Sequence, residues 1–347
     1  MSTAKRADPR SKATKDHSKD KTAELQTKRE HKREQSEKYM EHVEKLGWEK
    51  LLEEFHVGYK PDCQDFKMES RYVVSLNAPE KTDFYYANKI VISNVPCQNI
   101  AGAIPKSETD RETLWRMVFD SAVPNVFVLE DHNKLKKDPF WPPETGNFKD
   151  YGCMSVSNKK STLDKDRDYQ AILEVLPEGC SNSNIVRVVV VMRWTNRVGS
   201  ARRRMALHLV RLLRDEKGTV LILCKDGKAN TGTFILLRAT LHKLMHNQPI
   251  SMSDQLREIR TQRFVAVTEE EQYALAYVLA TDYLQVIGEC IEYFKQKAKL
   301  KLKQAEPLSD MSTAAPVSAA SAASDFGKQA TSTQSSGAPP PERSAYL

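Results

Sequence analysis

Cys224 ends an apolar, β-branched run, Thr219-Val220-Leu221-Ile222-Leu223. Lys225-Asp226-Gly227-Lys228-Ala229-Asn230-Thr231 follow it and lead into a helical pattern. A strand that passes through a short loop into a helix start aims successive backbone N–H groups, and the positive end of the helix dipole, at one point. That is a cradle for phosphate, and Lys225, Asp226, Gly227, Lys228, Ala229 and Asn230 are its candidate binding residues. The same field favours a thiolate at Cys224, lowering a thiol pKa that is ordinarily about 8.5. The chemistry available to these residue types at this spacing is attack by sulfur on a bound anion.

Positioning such a loop takes a sheet with helices packed on it. Arg71–Leu76, Lys89–Val95, Val126–Leu129, Met154–Val156, Ala171–Leu176, Ile185–Trp194 and Val220–Leu223 read as strands. Helical periodicity marks Tyr39–Phe55, where Tyr39, Met40, Val43, Leu46, Leu51, Leu52 and Phe55 share one stripe. It also marks Thr113–Ala122, Arg203–Asp215, Thr231–Met245, Met252–Thr261 and Glu269–Phe294. Strands lead, helices follow, and the reactive loop lies between them. This predicts an α/β (α+β) domain with one mixed central sheet flanked by helices, spanning 42–303. Residues 1–41 are charged and polar with almost no aliphatics, and 304–347 are rich in Ala, Ser, Thr and Pro. Both read as disordered tails.

The order of these elements resembles the tyrosine-specific protein phosphatase domain over about residues 45–295. Asp83-Phe84-Tyr85-Tyr86-Ala87-Asn88-Lys89-Ile90 is similar to that family's Asp-Tyr-Ile-Asn-Ala-Ser-x-Ile segment. Ile100-Ala101-Gly102-Ala103-Ile104-Pro105, with Thr109 and Leu114-Trp115-Arg116-Met117-Val118, resembles its Ile-Ala-Thr-Gln-Gly-Pro…Phe-Trp-x-Met-Val stretch. Phe140-Trp141-Pro142 with Tyr151-Gly152 resembles its Tyr-Trp-Pro…Tyr-Gly pair. Gln262-Arg263 with Glu271-Gln272-Tyr273 resembles its late glutamine loop.

The resemblance implies a mechanism with five chemical parts. In the loop pattern His-Cys-x-x-Gly-x-x-Arg-Ser/Thr, Cys224 holds the nucleophile position, Gly227 the tight turn and Thr231 the hydroxyl that assists the leaving thiolate, while Leu223 replaces the histidine. Asn230 replaces the arginine that grips the phosphoryl group, and an amide offers neither its charge nor its fork of donors. Lys225 and Lys228 partly compensate in charge, and Asp226 opposes them. The general acid of the family's Trp-Pro-Asp loop maps onto Trp194-Thr195-Asn196, where Asn196 has no titratable proton to donate. The water-positioning glutamine maps onto Thr268, with the second glutamine kept as Gln272. Tyr59 is the candidate for stacking on the substrate ring. The resemblance therefore implies a degenerate phosphatase domain, impaired or inactive in catalysis, that binds a phosphotyrosine-containing or other protein partner. The alternative is a weak phosphatase that works through a phosphocysteine on Cys224.

Composition narrows the remaining classes. The 347-residue chain carries a net charge of +7. Such a charge suits an anionic partner but is also what solvated faces carry, and the basic N-terminal clusters read as a charged tail rather than a nucleic-acid site. The run Ala201-Arg202-Arg203-Arg204 reads as an exposed helix start. Six cysteines at 63, 97, 153, 180, 224 and 290 show no Cys-x-x-Cys spacing, which argues against a zinc site and a disulfide scaffold. Free thiols fit a reducing cytoplasm or nucleus. No apolar run is long enough to span a bilayer, and Met1–Arg6 leads into polar sequence. The histidines are read as showing no His-x-x-x-His or Asp/His cluster, which argues against a metal site, and His208 as a partly buried filler. Neither a metal nor a cofactor is expected.

Overall fold

The computed structural model describes residues 34–57, 85–164, 168–191, 194, 205–213 and 218–305. Two compact units divide the chain, Met1–Lys295 and Gln296–Leu347. The second is described only to Ala305, and the architecture below belongs to the first. Helices α1 (34–45) and α2 (Trp48–His56) precede the sheet. Then come β1 (Ala87–Ile92), β2 (Val95–Ala103), α3 (Glu108–Asp120), β3 (Asn125–Val128), α4 (His132–Lys137), β4 (Phe148–Tyr151), β5 (Met154–Leu163), β6 (Asp168–Pro177) and β7 (Asn184–Val191). The chain continues with α5 (Met205–Leu213), β8 (Val220–Cys224), α6 (Ala229–Met245), α7 (Met252–Gln262) and α8 (Glu270–Ala305).

The strands form a single mixed sheet of eight strands in the order β1-β2-β8-β3-β7-β6-β5-β4. Its centre is parallel, with β8 between β2 and β3, and β3 against β7. The two flanks are antiparallel hairpins. Central strands covered on both faces are largely apolar, and all five residues of β8 are apolar and buried. Alternation then divides them between two cores. Val220, Ile222 and Cys224 face the cluster that contains Phe234, Leu256, Ile259, Leu275 and Leu279 from α6, α7 and α8. Leu221 and Leu223 face the opposite cluster, with Leu114, Trp115 and Phe140. Tyr39 of α1 is buried in the first cluster, so a side chain upstream of residue 42 contributes to the core.

Several elements differ from their expected form for local reasons. The Tyr39–Phe55 stripe is two helices, interrupted at Leu46-Gly47, with Gly47 in extended conformation before α2. The Lys89–Val95 run is not one strand: it contains a two-residue hairpin turn, with Ile92 paired to Val95 and Asn94 at φ +63°. Asn tolerates that left-handed position better than most residues. Helix α3 begins at Glu108 rather than Thr113, because a capping box starts it. The Ser107 hydroxyl accepts from Asp110 N–H at 3.0 Å, and the Asp110 carboxylate accepts from Ser107 N–H at 3.0 Å. The Arg71–Leu76 strand lies outside the described residues. No described helix is long and apolar enough to cross a membrane.

Candidate active site

Strand β8 delivers Cys224 to the sheet's C-terminal edge, and neighbouring backbone fixes the loop that follows. The Cys224 carbonyl accepts from Ile104 N–H at 2.9 Å and from Gly227 N–H at 3.2 Å. Gly227 sits at φ +64°, and a Cβ there would come within 2.5 Å of Ala103 N and of the Gly102 carbonyl carbon. Both the conformation and the space require glycine. Arg263, fully buried, clamps the turn from behind: Nε donates to the Gly227 carbonyl at 2.5 Å, and Nη1 donates to Asn88 Oδ1. Its guanidinium also lies 4.9 Å from the centre of the Tyr86 ring. Burial lowers the Arg263 pKa, while Tyr86, Cys224 and Asp226 pull in the other direction.

The sulfur does not sit in the field expected for a thiolate. Cys224 is 1 % exposed, and its pKa is raised first by burial and then by the negative charge of Asp226. The Thr231 hydroxyl, which donates to Sγ at 3.0 Å, only partly offsets this. The thiol itself donates to Asp226 Oδ1 at 3.2 Å. That same oxygen accepts from Lys228 N–H at 2.9 Å and Ala229 N–H at 3.2 Å. Desolvation works against the Asp226 carboxylate. The hydrogen bonds from Lys228, Cys224 and Ala229 outweigh it and hold the group below its ordinary range. Asn230 brings no positive charge, and its side-chain oxygen is buried with no hydrogen-bond partner among the described residues. A cavity of about 470 Å³ opens beside the loop, lined by Tyr85, Tyr86, Lys106, Asp110, Lys225, Asp226 and Lys228, together with Ala103-Ile104-Pro105.

A second loop packs against the first. The Lys228 carbonyl accepts from Gly232 N–H at 3.0 Å and from Val267 N–H at 3.3 Å. Close approach is possible because residue 232 has no side chain: a Cβ there would lie 2.6 Å from Val267 N. Arg260 fixes the far side of that loop. Its Nε donates to the Ala266 carbonyl at 3.1 Å, its Nη2 to Val267 at 3.0 Å, and its Nη1 to the carbonyls of Val57 (2.9 Å) and Phe55. Thr268 and Gln272 meet each other, with Thr268 N–H donating to Gln272 Oε1 at 3.2 Å.

The structure thus brings together Cys224, Lys225, Asp226, Gly227, Lys228, Ala229, Asn230 and Thr231, with Thr268 on the adjoining loop and Gln272 in the first turn of α8. Tyr59 and Asn196 lie outside the described residues, as do Arg202, Arg203 and Arg204. Trp194, two residues before Asn196, is half-buried with its ring 5.5 Å from that of Phe234. Leu223 is wholly buried on the opposite face of the sheet from Cys224. The histidine reading needs two corrections. His208 pairs with buried Asp168 at 2.9 Å. His242, in the last turn of α6, and His246, its C-cap, form a His-x-x-x-His pair whose rings stack at 4.0 Å. Among the described residues no group of three or more His, Cys, Asp or Glu side chains is arranged to hold a metal ion. Sequence reasoning missed Arg263 and Asn88 as loop supports, although both fall inside motifs it had picked out.

Comparison with known proteins agrees with this geometry. The family model described as Protein-tyrosine phosphatase matches residues 60–282. The chain is 24% identical over 220 residues to the Caenorhabditis elegans protein C15H7.3, which carries a tyrosine-protein phosphatase name, over 62% of this chain and 54% of that protein. It is 26% identical over 210 residues to the receptor-type tyrosine-protein phosphatase zeta of Rattus norvegicus, over 56% of this chain and 9% of that protein. It is 26% identical over 210 residues to tyrosine-protein phosphatase 3 of Dictyostelium discoideum, over 54% of this chain and 21% of that protein. The chain covers less than two thirds of the length of each.

Proposed function

This chain belongs to the protein-tyrosine phosphatase family, and from that premise we propose that its domain has given up most or all phosphatase turnover and acts as a binding or regulatory module for a protein partner, with phosphotyrosine segments the first class to test. The observation that carries this reading is Asn230, an uncharged amide whose buried oxygen has no hydrogen-bond partner among the described residues, at the loop position where the family grips phosphate with arginine. Removing a charge-assisted donor from a developing anion costs roughly 3–4 kcal/mol, a hundredfold to thousandfold in rate. Asn196 in the general-acid position removes a contribution of about 10²–10⁴-fold. The two losses act in one mechanism and need not add. A Cys224 held as a thiol weakens the nucleophile further. The described cysteines are free thiols, and a reducing compartment, cytoplasm or nucleus, is part of the proposal.

One observation favours a second reading, a slow phosphatase. The Thr231 hydroxyl keeps its hydrogen bond to the Cys224 sulfur, the contact that would stabilise a thiolate leaving a phosphocysteine. Turnover of a small aryl phosphate by the wild-type chain, with Cys224→Ser as control, decides between them. The binding-module reading expects the two proteins to be indistinguishable, and Cys224-dependent turnover at the rate of ordinary family members would refute it. Calorimetry with a phosphotyrosine peptide and its unphosphorylated form then asks what the cleft recognises.

A further inference from the structure

Two of the loop's backbone donors are already taken by a side chain. Asp226 Oδ1 takes Lys228 N–H, Ala229 N–H and the Cys224 thiol, at 2.9, 3.2 and 3.2 Å. The first two are the N–H groups at the start of the seventeen-residue helix α6, and the third is the group that would face phosphorus. A phosphate oxygen entering this loop needs the same donors at the same distances. The surrounding cleft remains cationic. Three lysines, Lys106, Lys225 and Lys228, line the cavity against two acids, Asp110 and Asp226.

We infer that Asp226 is a built-in ligand of the cysteine loop, its carboxylate filling the place of a phosphate oxygen, so that the wild-type cradle excludes phosphate. The inference rests on reading the loop as a phosphate cradle of the phosphatase family, and it adds a cause that the substitution at Asn230 does not supply. The lost arginine weakens the grip on an anion, whereas Asp226 occupies the site and repels what approaches. Asp226 therefore determines the specificity of this cleft. Without it, the lining changes from three lysines and two acids to three lysines and one. The same contact accounts for the state of the sulfur, because a thiol that donates to a carboxylate resists ionisation.

Tungstate, a phosphate-sized anion, is the probe, titrated by calorimetry into the full chain as wild type, Asp226→Ala and Asp226→Asn. Alanine empties the position. Asparagine keeps an oxygen on the two N–H groups and removes only the charge. Asp226→Ala is expected to bind tungstate at least about tenfold more tightly than wild type, since charge-assisted bonds to freed N–H groups become available. Asp226→Asn is expected to lie closer to wild type. Equal affinity in wild type and Asp226→Ala overturns the inference, and equal affinity in Asp226→Ala and Asp226→Asn shows that charge alone acts and overturns it as well. A second measurement needs no variant: the pH profile of iodoacetamide labelling at Cys224, followed by peptide mass spectrometry. Millimolar tungstate is expected to leave labelling of the wild-type chain unchanged, and protection would mean that the cradle is open. The two readings separate cleanly. Aryl phosphate turnover that is slow and Cys224-dependent in wild type and faster in Asp226→Ala favours the slow-phosphatase reading over the binding module and keeps this inference. Absent turnover with equal tungstate affinities does the reverse.

Discussion

Gly232→Ala sets two effects of opposite sign against each other. Gly232 lies inside α6, where alanine is intrinsically better than glycine by about 1 kcal/mol. Helix propensity alone therefore expects a more stable protein. Packing expects the opposite, because the added Cβ would sit 2.6 Å from Val267 N and 3.0 Å from Ala266 Cβ. The nearest is backbone and the other a Cβ fixed to it, and neither is free to retreat: Arg260 holds the carbonyls of Ala266 and Val267 at 3.1 and 3.0 Å, and is itself tied to Val57. Val267 is also at φ +60°, which limits how its peptide can turn. Forcing a methyl into a fixed contact costs about 1–3 kcal/mol. Stretching the Val267 N–H to Lys228 carbonyl bond adds about 0.5–1.5 kcal/mol. With the propensity gain subtracted, the net expectation is a loss of about 0.5–3.5 kcal/mol. That corresponds to a fall in Tm on the order of 5 °C for a domain of this size. Urea unfolding followed by far-UV circular dichroism measures it. A variant as stable as wild type, or more so, would falsify the claim that residue 232 is glycine so that the two loops can touch.

Three further outcomes follow from the same geometry. Leu223→His restores the family's residue type but on the apolar face away from the sulfur, so it should cost about 2–5 kcal/mol of stability and leave the pH midpoint of Cys224 labelling within about one unit of wild type. A midpoint lowered by more than that would show that the imidazole reaches the thiolate after all. Because the folded Cys224 pKa is raised above the unfolded value of about 8.5, its contribution to stability is complete below that pH and is lost as pH climbs towards the folded pKa. Wild type should therefore lose more stability than Cys224→Ala between neutral and strongly alkaline pH in matched urea titrations, and parallel curves would contradict the shift. Arg260→Met leaves the carbonyls of Phe55, Val57, Ala266 and Val267 without their shared cation, and should cost about 3 kcal/mol or more. A chevron or equilibrium titration showing less than about 1 kcal/mol would mean that these bonds are not made in solution.

What the sequence revealed of this fold follows the range over which its signals act. The β8 run and the α6 pattern are continuous apolar stretches whose burial is dictated locally, and Val220–Cys224 and Ala229–Met245 lie where expected. The Ser93-Asn94 turn was missed because Lys89–Val95 carries β-branched residues on both sides of it, and composition outweighed the turn signal. The early start of α3 depends on Ser107 and Asp110 capping each other, a polar signal that a search for apolar periodicity passes over. At the site, the residue types of the loop were legible, but the state of the sulfur was not. A helix start near a cysteine predicts a thiolate only if nothing else reaches those N–H groups first. Whether Asp226 turns inwards is a matter of side-chain geometry that sequence spacing does not specify.

The substitution at Asn230 and the inward carboxylate of Asp226 fit one physical change. An empty anion cradle is costly in the absence of its ligand, since backbone donors at a helix start face a site from which bulk water is partly excluded. An arginine that recruits phosphate justifies that cost. On this proposal, once residue 230 is an amide phosphate is held too weakly to satisfy the donors, and the Asp226 carboxylate, two residues beyond the cysteine, accepts from two of them instead. The sulfur then has a reason to be where it is that owes nothing to turnover. At 1 % exposure, packed in the cluster that includes Ile222 and Phe234 and bonded by Thr231, a neutral cysteine behaves as a small apolar residue with a weak donor. An intact Cys224 is therefore compatible with an inactive loop, and its protonation state carries the information that its presence does not.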